Sequence, residues 1–288
     1  MNDRFGIGWR PELAAGILSN LDCIDIIEVI ADDYFTAPRS KRRALNTLAR
    51  QVPVALHGVT LGMASAVPVE ARRLERTARL VEEVRPEFWS EHLAFVRGGG
   101  VEIGHLAAPP RTAATIAGAA RNLDVAGQIV GAPPLVENIA TLIDPPGSTM
   151  SEADWNVEIL AAAQCDLLLD LHNLYANAVN FGFDPHQYID RMPRERIRAI
   201  HLAGGRWIKA KSSGEFRLLD DHLHDVPEAV YNLLEYVGEK TCHPLTVILE
   251  RDGCYPPTNA LLNQLDLARQ ALRRGRERRR TSPVSEAA

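Results

Sequence analysis

The amino-acid sequence predicts one α/β domain folded as a (β/α)8 barrel, the TIM barrel. The chain has 288 residues, near the ~250 residues typical of that fold. Eight short apolar runs recur along it, with helical patterns between them, and they are largely continuous, as in parallel strands buried on both faces. No Gly-x-Gly-x-x-Gly or Gly-Lys-Ser/Thr phosphate loop occurs, which disfavours an open nucleotide-binding sheet.

The order of the elements follows from these runs. The predicted strands cover residues 5–9, 24–30, 54–59, 88–93, 134–139, 166–171, 197–202 and 245–250. The predicted helices cover residues 11–18, 40–50, 69–84, 112–123, 152–163, 226–237 and 258–272. Pro11 suits a first helical position and Ser40 suits an N-cap. Only between the sixth and seventh strands is no helical pattern evident.

Composition limits the class of protein. Hydrophobic residues make up 46% and the net charge is −5, so a sizeable core is expected and broad nucleic-acid binding is not. The four cysteines are widely and irregularly spaced, which indicates neither a disulfide framework nor a zinc knuckle. No signal region or run of ~20 apolar residues is present, so we expect a cytoplasmic protein without a membrane segment.

The two ends of the chain differ in character. Residues 1–270 are expected to form the barrel, which is the catalytic domain. Residues 271–288 begin with the basic run 273–280, and blocks of like charge are usually solvated and disordered. We therefore expect a disordered, basic C-terminal tail.

Polar residues stand where six consecutive predicted strands end. They are His57, Glu91, His92, Glu137, Asn138, Asp170, His172, Asn173, His201, Glu250, Arg251 and Asp252, joined by Asp220, Asp221, His222 and His224 after the seventh strand. In a closed barrel all these ends meet at one mouth, where barrel enzymes place their chemistry. Burying so many ionisable groups costs several kcal/mol each unless they are paired or coordinated. The pattern favours divalent cations over a mouth that is merely hydrogen-bonded.

The residue types narrow the metal. Imidazoles and carboxylates without thiolates suit iron, manganese or zinc and argue against copper(I) and iron–sulfur clusters. About nine candidate ligands exceed the need of one ion, so about two or three ions are expected. Glu137, on a central strand, is placed to bridge two of them. Residue types alone do not rank iron above zinc.

Motifs along the chain give the pattern a family resemblance. They are Gly6-Ile-Gly-Trp-Arg-Pro-Glu12, Leu56-His-Gly-Val59, Ser90-Glu-His-Leu93, Glu137-Asn138, Leu169-Asp-Leu-His-Asn-Leu-Tyr175, Asn180-Phe-Gly-Phe-Asp-Pro185, His201-Leu-Ala-Gly204, Asp220-Asp-His222 and Glu250-Arg-Asp252. Each is weak alone, but together and in this order they are specific. The chain resembles the multinuclear non-haem iron-dependent oxidative enzymes (MNIO) over about residues 5–265.

The resemblance implies a function. It implies a barrel like that of xylose isomerase, holding two to three irons of mixed Fe(II)/Fe(III) valence, with O2 as co-substrate. It implies oxidative modification of a ribosomally synthesised precursor peptide in natural-product biosynthesis, usually at a cysteine, by C–H abstraction at the β-carbon. Members of the family typically work with a small partner protein that recognises the precursor, so a heterodimer is expected.

The resemblance also implies the site residues. His57, His92 and Glu137 would hold one iron, and Glu137 would bridge to a second iron held with Asp170, His201 and Glu250. Asn173, Asp220 and His222 would complete a third site. The first six are the implied catalytic residues. Two positions depart from the family pattern: His172 replaces a usual asparagine and would add a ligand or a proton shuttle, and Asp32-Asp33 replaces a frequent Glu-Asn.

Other interpretations stay open at this point. A metal-dependent isomerase or hydrolase of the same architecture would place similar residues at its strand ends, and a non-catalytic metal- or peptide-binding scaffold would keep the mouth without activity. Trp9, Arg10, Trp89 and Trp207 either line the substrate entrance or pack. Arg251 would pair with a peptide C-terminus or with a neighbouring carboxylate. Residues 203–216 form a lid or a simple connection.

Overall fold

Eight parallel strands close into a barrel in the computed structural model, which describes residues 2–209 and 214–281. The barrel strands are β1 (Arg4–Gly8), β2 (Ile26–Ile30), β3 (Val54–Gly58), β4 (Trp89–His92), β7 (Leu135–Glu137), β8 (Leu167–Asp170), β9 (Ile197–Leu202) and β12 (Thr246–Leu249). Each pairs with its neighbour in chain order, and β12 pairs with β1 to complete the ring. The predicted fold class is confirmed, and all eight predicted strands are present.

Helices surround the barrel. They are α1 (Ala14–Leu18), α2 (Arg39–Leu48), α3 (Ala71–Val84), α4 (Ala113–Val130), α5 (Glu152–Ala163), α6 (Leu171–Phe181), α7 (Pro185–Arg191), α8 (Glu228–Lys240) and α9 (Thr258–Thr281). Short polar side chains begin several of them: the Thr112 hydroxyl accepts from the N–H of Thr115, and Ser151 does the same for Asp154. Such capping satisfies N–H groups that have no partner in the first helical turn. None of the helices among the described residues is long and apolar enough to cross a membrane.

Helices α6 and α7 fill the interval where the sequence showed no helical pattern. Asp170 ends β8 and also caps α6, since its side chain accepts from the N–H of Asn173. Gly182 ends α6 in the left-handed conformation, and Asp184 caps α7 just before Pro185. The prediction failed because α6 is rich in asparagine, which favours caps over helix interiors, and because four of its eight buried positions are polar.

Two hairpins rise from the mouth of the barrel. The first, β5 (Phe95–Gly98) and β6 (Val101–Ala107), follows β4, and the second, β10 (Gly205–Lys209) and β11 (Phe216–Asp220), follows β9. Gly99 and Gly100 both have positive φ, as a two-residue hairpin turn requires. The expected lid or connection at residues 203–216 is thus largely hairpin, and residues 210–213 lie outside the described residues.

The expectation of a disordered tail beginning at residue 271 is wrong as far as Thr281. Residues 271–281 continue α9, and their arginines find partners instead of repelling one another. Arg274 and Arg278 each lie 2.6 Å from a carboxylate oxygen of Glu235 on α8, and Arg276 donates to Asp3 at 2.8 Å. At Gly275 a Cβ would lie 2.0 Å from the Glu235 carbonyl oxygen, so this glycine lets α9 pack closely on α8. Residues 282–288 lie outside the described residues.

Candidate metal centre

Inside the barrel a layer of polar side chains lies on a layer of apolar ones, because the two layers are two residues apart along each strand. Neighbouring strands contribute buried Ile26, Ala55, Leu135, Leu168, Ala199 and Ile248, which pack in two groups against Phe88. Two positions further along the same strands come Glu28, His57, Glu137, Asp170, His201 and Glu250, all buried. Because residues i and i+2 of a strand face the same side, these polar side chains point into the barrel at its C-terminal mouth.

One group of side chains converges on a single carboxylate oxygen. The Nε2 atoms of His57 and His92 lie 3.5 and 3.4 Å from Oε2 of Glu137. On the other side of each ring, Nδ1 of His57 contacts the Ser90 hydroxyl at 2.8 Å, and Nδ1 of His92 contacts the Gly58 carbonyl at 3.2 Å. Such second contacts fix the orientation of imidazoles that bind metals. Both Nε2 atoms are therefore directed at the same space.

A second group surrounds His201. Its Nδ1 lies 3.2 Å from Oε1 of Glu137 and 3.1 Å from Oε2 of Glu250. Oδ2 of Asp170 is buried without a hydrogen-bond partner. Ligand atoms of Glu137, Asp170, His201 and Glu250 all lie within 4.8 Å of one another, as do those of His57, His92 and Glu137. Glu137 thus belongs to both groups, as the bridging role implied by the resemblance requires.

The third set of predicted residues is at the same mouth. Nε2 of His222 and Oδ2 of Asp220 lie 3.0 Å apart, yet that nitrogen makes no hydrogen bond. Nδ1 of His222 lies 3.4 Å from Glu250 and 3.3 Å from Asp252. Asn173 lines the same cavity, and its Oδ1 has no hydrogen-bond partner. Six of the nine sequence-predicted ligands therefore line one cavity, and Glu137, Asp170 and His201 lie buried next to them.

His172 contacts one of these residues from behind. It is fully buried, and its Nδ1 lies 2.6 Å from Oδ1 of Asp220. Its Nε2 faces Gly205, where a Cβ would lie 3.1 Å away. Because Gly205 covers Nε2 of His172, that nitrogen has no access to a metal ion. The geometry therefore favours a role for His172 in orienting Asp220 over a role as an additional ligand.

Buried carboxylates make the cluster electrically negative, and this shows in the pKa values of its imidazoles. Burial lowers the pKa of His92, but Glu137 and Glu91 outweigh it and raise the pKa to about 9. The pKa values of His201 and His222 also rise well above the usual range, because carboxylates that include Glu250 outweigh burial. Burial and the charge of Glu137 raise the pKa of Asp170. The carboxylates thus retain protons on the imidazoles, and divalent cations would replace those protons.

Unpaired buried atoms test whether metal ions fit this donor set. Those at the mouth include Oε2 of Glu137, Oδ2 of Asp170, Oδ1 of Asn173 and Nε2 of His222. For the three oxygens, leaving a buried acceptor without a partner costs about 1–3 kcal/mol, and more for a charged group. All four atoms belong to predicted ligands. The oxygens can donate a lone pair to a cation directly, and Nε2 of His222, which lies 3.0 Å from Asp220, can do so once a cation displaces its proton. The residues therefore fit a multi-metal site.

Sequence inspection missed Glu28. It stands in the middle of β2, where its β-branched neighbours predict a strand but give no sign of a functional residue. Its Oε2 lies 3.0 Å from Nε2 of His201, so His201 has a carboxylate on each side of its ring. Carboxylate–histidine pairs of this kind hold metal-binding imidazoles in place. The available signal was a charged residue inside an otherwise apolar strand, since such a residue is almost never fully buried without a partner.

Other singled-out residues lie outside the cluster. Glu91 lies behind His92, with Oε1 3.6 Å from Nδ1 of that ring, and accepts from the N–H groups of Leu61 and His92. Trp89 is buried and donates to the Ala132 carbonyl, so it packs and does not line the entrance. Arg251 bonds Asp225 at 2.9 Å and the carbonyl oxygens of residues 253 and 254, which favours the internal ion pair over a peptide C-terminus.

Three further residues lie near the mouth. Arg10 lines the cavity and pairs with Asp252. Asp32 accepts from the N–H of Val59 at 3.0 Å and from the Thr60 hydroxyl, so it braces the loop after β3. This contact gives the Asp32-Asp33 departure a structural role.

A cavity of about 620 Å³ opens above the cluster. Its floor includes His57, His92, Asn173, His222 and Glu250. Its walls come from β6, β11 and the loop after β7, and their apolar members are Leu106, Ile139, Leu142, Ile143, Leu218 and Leu219. This volume is within the range of ligand-binding pockets. A substrate can therefore approach the candidate ligands between largely apolar walls.

The fold and the donor set together define the class, a xylose-isomerase-like TIM barrel whose mouth fits a multi-metal site. Residues 4–273 match a family model described as "RiPP precursor modification enzyme MbnB/TglH/ChrH", where RiPPs are ribosomally made, modified peptides, and the chain belongs to that family. It is 33% identical over 275 residues to a UPF0276 protein of Caulobacter vibrioides, covering 95% of this chain and 96% of the relative. A UPF0276 protein of Bordetella bronchiseptica is 34% identical over 272 residues, covering 94% and 93%.

Solved structures share the fold at low identity. L-ribulose 3-epimerase gives a TM-score of 0.60 at 14% identity, covering 99% of this chain and all of its own. A xylose isomerase domain-containing protein of Salmonella typhimurium gives 0.59 at 13%, covering 94% and 99%. Endonuclease IV of Thermus thermophilus gives 0.57 at 15%, covering 94% and 99%. These similarities establish the architecture alone.

Proposed function

We propose that this chain is a multinuclear iron-dependent enzyme that uses O2 to oxidise a ribosomally synthesised precursor peptide at a cysteine. The observation that carries the proposal is the convergence of buried lone pairs, centred on Glu137, at the floor of the mouth cavity. Family membership supplies the peptide class. The resemblance to the multinuclear iron enzymes supplies iron, O2 and cysteine.

The proposed ligands divide into three sets. His57, His92 and Glu137 would hold one ion. Glu137, Asp170, His201 and Glu250 would hold the second, and the last set is Asn173, Asp220 and His222. The first two sets correspond to the two groups described above, and within each group all the ligand atoms lie within 4.8 Å of one another. The lone pairs on Asn173 and His222 support the third.

Bound iron would supply redox electrons for oxidation by O2 and a positive charge that favours a substrate thiolate. The protein's own part is positioning. Ser90 and Gly58 hold the rings of His57 and His92, and Glu28 and His172 hold His201 and Asp220. Fixed rings preserve the geometry of the site through turnover.

The walls of the cavity have a separate task. Leu142, Leu218 and Leu219 line the cavity above the floor. Apolar walls of this kind would limit the access of water once substrate is bound, and that would strengthen the attraction between a thiolate and a cationic centre. We propose that a cysteine side chain enters here, with its β-carbon facing the cluster so that oxidation begins with loss of a hydrogen from that carbon.

We also propose a small partner protein that forms a heterodimer with this chain and recognises the precursor in the cytoplasm. A flexible peptide gains little affinity from its reacting end alone, because ordering it is costly. Remote recognition raises the effective concentration of the cysteine at the cavity. We expect weak turnover of the full precursor without the partner. Equal rates for full precursor with partner, full precursor alone and a truncated core peptide would contradict this.

Two other functions have distinct outcomes. A sugar epimerase or isomerase, or an endonuclease, would share the architecture but would consume no O2. A non-catalytic scaffold would bind metal and peptide and leave the peptide's mass unchanged. Neither accounts for the match to a family of precursor modification enzymes over residues 4–273.

The experiment uses full-length protein reconstituted anaerobically with Fe(II) or, as the matched control, with Zn(II). Each sample receives a cysteine-bearing candidate precursor peptide and a candidate small partner protein, both sought among the genes next to this one, together with reductant and air. We expect O2 uptake and a change in peptide mass with iron only. A change with zinc, or no change with iron although peptide binds, would contradict the oxidative mechanism.

A further inference from the structure

The hairpin β5–β6 presents a free strand edge beside the cavity. β6 pairs with β5 on one side, and no other strand within residues 2–209 and 214–281 pairs with it. Its residues 101–105 are exposed. A two-stranded ribbon is marginally stable alone and gains from a third strand. The open edge is therefore suited to an extended partner.

The edge of β6 is regular only over residues 101–103. Natural proteins usually protect free edges with lysine, proline, inward-pointing charge or a β-bulge, and in β6 the positive φ of Gly104 and the register shift against β5 form such an irregularity. Residues 101–103 contain neither lysine nor proline. The strand reads Val-Glu-Ile-Gly-His-Leu-Ala from Val101, and its one acidic side chain, Glu102, is paired with Arg97 at 3.1 Å and Arg73 at 2.5 Å. Val101 and Ile103 are 65% and 43% exposed and lie two residues apart, on one face. Such a surface suits apolar side chains at alternate positions of a partner.

Contacts at its base hold the hairpin against the mouth. Arg97 donates to the carbonyl oxygens of Leu61 at 2.9 Å and Thr60, which belong to the loop after β3. The same guanidinium pairs with Glu102 on β6. The edge is thus tied to the barrel and pre-organised, which lowers the entropic cost of binding.

The strand also points to the reactive floor. His105, Leu106 and Ala107, at its end, line the cavity together with His57 and His92. Leu142 and Ile143, exposed at 41% and 71%, line the cavity from the loop after β7. A peptide paired with residues 101–103 and continuing past residue 105 would reach this cavity, whose lining includes Leu142 and Ile143.

We propose that β6 binds the substrate by β-strand addition: a peptide segment next to the modified residue lies along the β6 edge, with apolar side chains at alternate positions. This inference rests on the proposed function, since it takes a peptide as the substrate. The backbone groups of the edge give affinity, and Val101 and Ile103 give specificity for apolar side chains. The strand thereby sets the sequence preference around the reacting cysteine.

The test uses iron-loaded protein, held without O2, to capture displayed 12-residue peptides that carry one central cysteine and random flanks. The variant combines Val101→Glu with Ile103→Glu, because both side chains are exposed and the charges should leave folding intact. Val125→Glu, at a residue 41% exposed on α4, is the matched control. Melting temperatures and iron content check that all three proteins are intact.

We expect wild-type protein and the control to enrich peptides with apolar or β-branched residues at alternate positions, on one side of the cysteine. The double variant should lose this enrichment by about tenfold or more, as expected for about 1.4 kcal/mol. The same enrichment in all three proteins, or none in the wild type, would overturn the proposal. Oxidation of captured peptides in air is scored separately by mass. Its absence counts against the proposed function, while capture alone decides the role of β6.

Discussion

The two ends of the barrel carry charged residues in different arrangements. At the N-terminal face several charges are paired one to one: Arg276 pairs with Asp3 at 2.8 Å and Arg198 pairs with Asp166 at 2.8 Å. At the C-terminal mouth, one imidazole, that of His201, is within 3.2 Å of three carboxylates, and several buried atoms make no hydrogen bond. The paired charges at the N-terminal face need no further partner. The cluster at the mouth has room for added cations, as expected for the functional face of a barrel.

The largest effect is expected at the centre of the mouth. Glu137→Ala and His201→Ala should each remove ions from more than one position and lower turnover by about 1000-fold or more, as for residues that act as a unit. Metal analysis together with peptide mass change checks this. Wild-type iron content and normal turnover in both variants would refute the assigned site.

A buried carboxylate outside the cluster, that of Glu152, shows the cost of burial even beside an arginine. Burial raises the pKa of Glu152 to about 7, although Arg111 opposes the rise. A folded-state pKa above the ordinary value of 4.5 gives stability that is fully present below pH ~4.5 and lost as the pH rises through about 7. The change corresponds to about 3 kcal/mol.

Glu152→Gln should remove this pH dependence, because the amide keeps the shape without the charge. Urea unfolding of both proteins between pH 4.5 and 8 provides the measurement. The wild type should lose about 3 kcal/mol more unfolding free energy across this range than the variant. Parallel pH profiles would show that Glu152 does not titrate as stated.

Glu28 distinguishes an orienting carboxylate from a ligand. Glu28→Gln should leave the fold intact and weaken metal binding by about 10–100-fold, the size typical of residues that hold a metal-binding histidine. Competition with a chelator measures the affinity, with Glu152→Gln as a buried-carboxylate control that should bind metal normally. Equal affinities in Glu28→Gln and wild type would mean that His201 is held without Glu28.

The smallest effect is expected away from the mouth. Glu235 is buried, but its partners Arg274 and Arg278 are 49% and 64% exposed. Because both arginines stay solvated and the amide keeps the shape of the side chain, Glu235→Gln should cost only about 1 kcal/mol of stability. Iron content and turnover should not change. Unfolding at low salt and at 1 M NaCl tests this, because salt screens the pair. A loss of iron in this variant would contradict the prediction that metal binding depends only on residues at the mouth.

Sequence reasoning reached the barrel because its strands are continuous apolar runs, and it reached most of the cluster because polar residues interrupt those runs at their ends. It missed Glu28, which lies within a strand where the surrounding isoleucines mask it. The two-residue step from Ile26 to Glu28, repeated in Ala55 to His57 and Ala199 to His201, becomes meaningful only when the register of the barrel is known.

Local propensity was the weaker guide elsewhere. It hid α6, whose asparagines form tertiary bonds: Asn177 to the Ile139 carbonyl at 2.9 Å and Asn180 to the Leu218 carbonyl at 2.9 Å. Local propensity also predicted disorder for the basic run at residues 273–280, which instead continues α9, packs on α8 and pairs with Glu235 of that helix. In both regions the deciding interactions come from residues distant in sequence.

The central claim is that the mouth holds several irons. Protein purified without O2 and reconstituted with 57Fe(II) can be analysed for metal and by Mössbauer spectroscopy, before and after exposure to air. The account predicts about two to three irons per chain, by its ligand count, in distinguishable sites and with both Fe(II) and Fe(III) present in the active form. Binding of zinc alone, with no gain in peptide oxidation on reconstitution with iron, would contradict it.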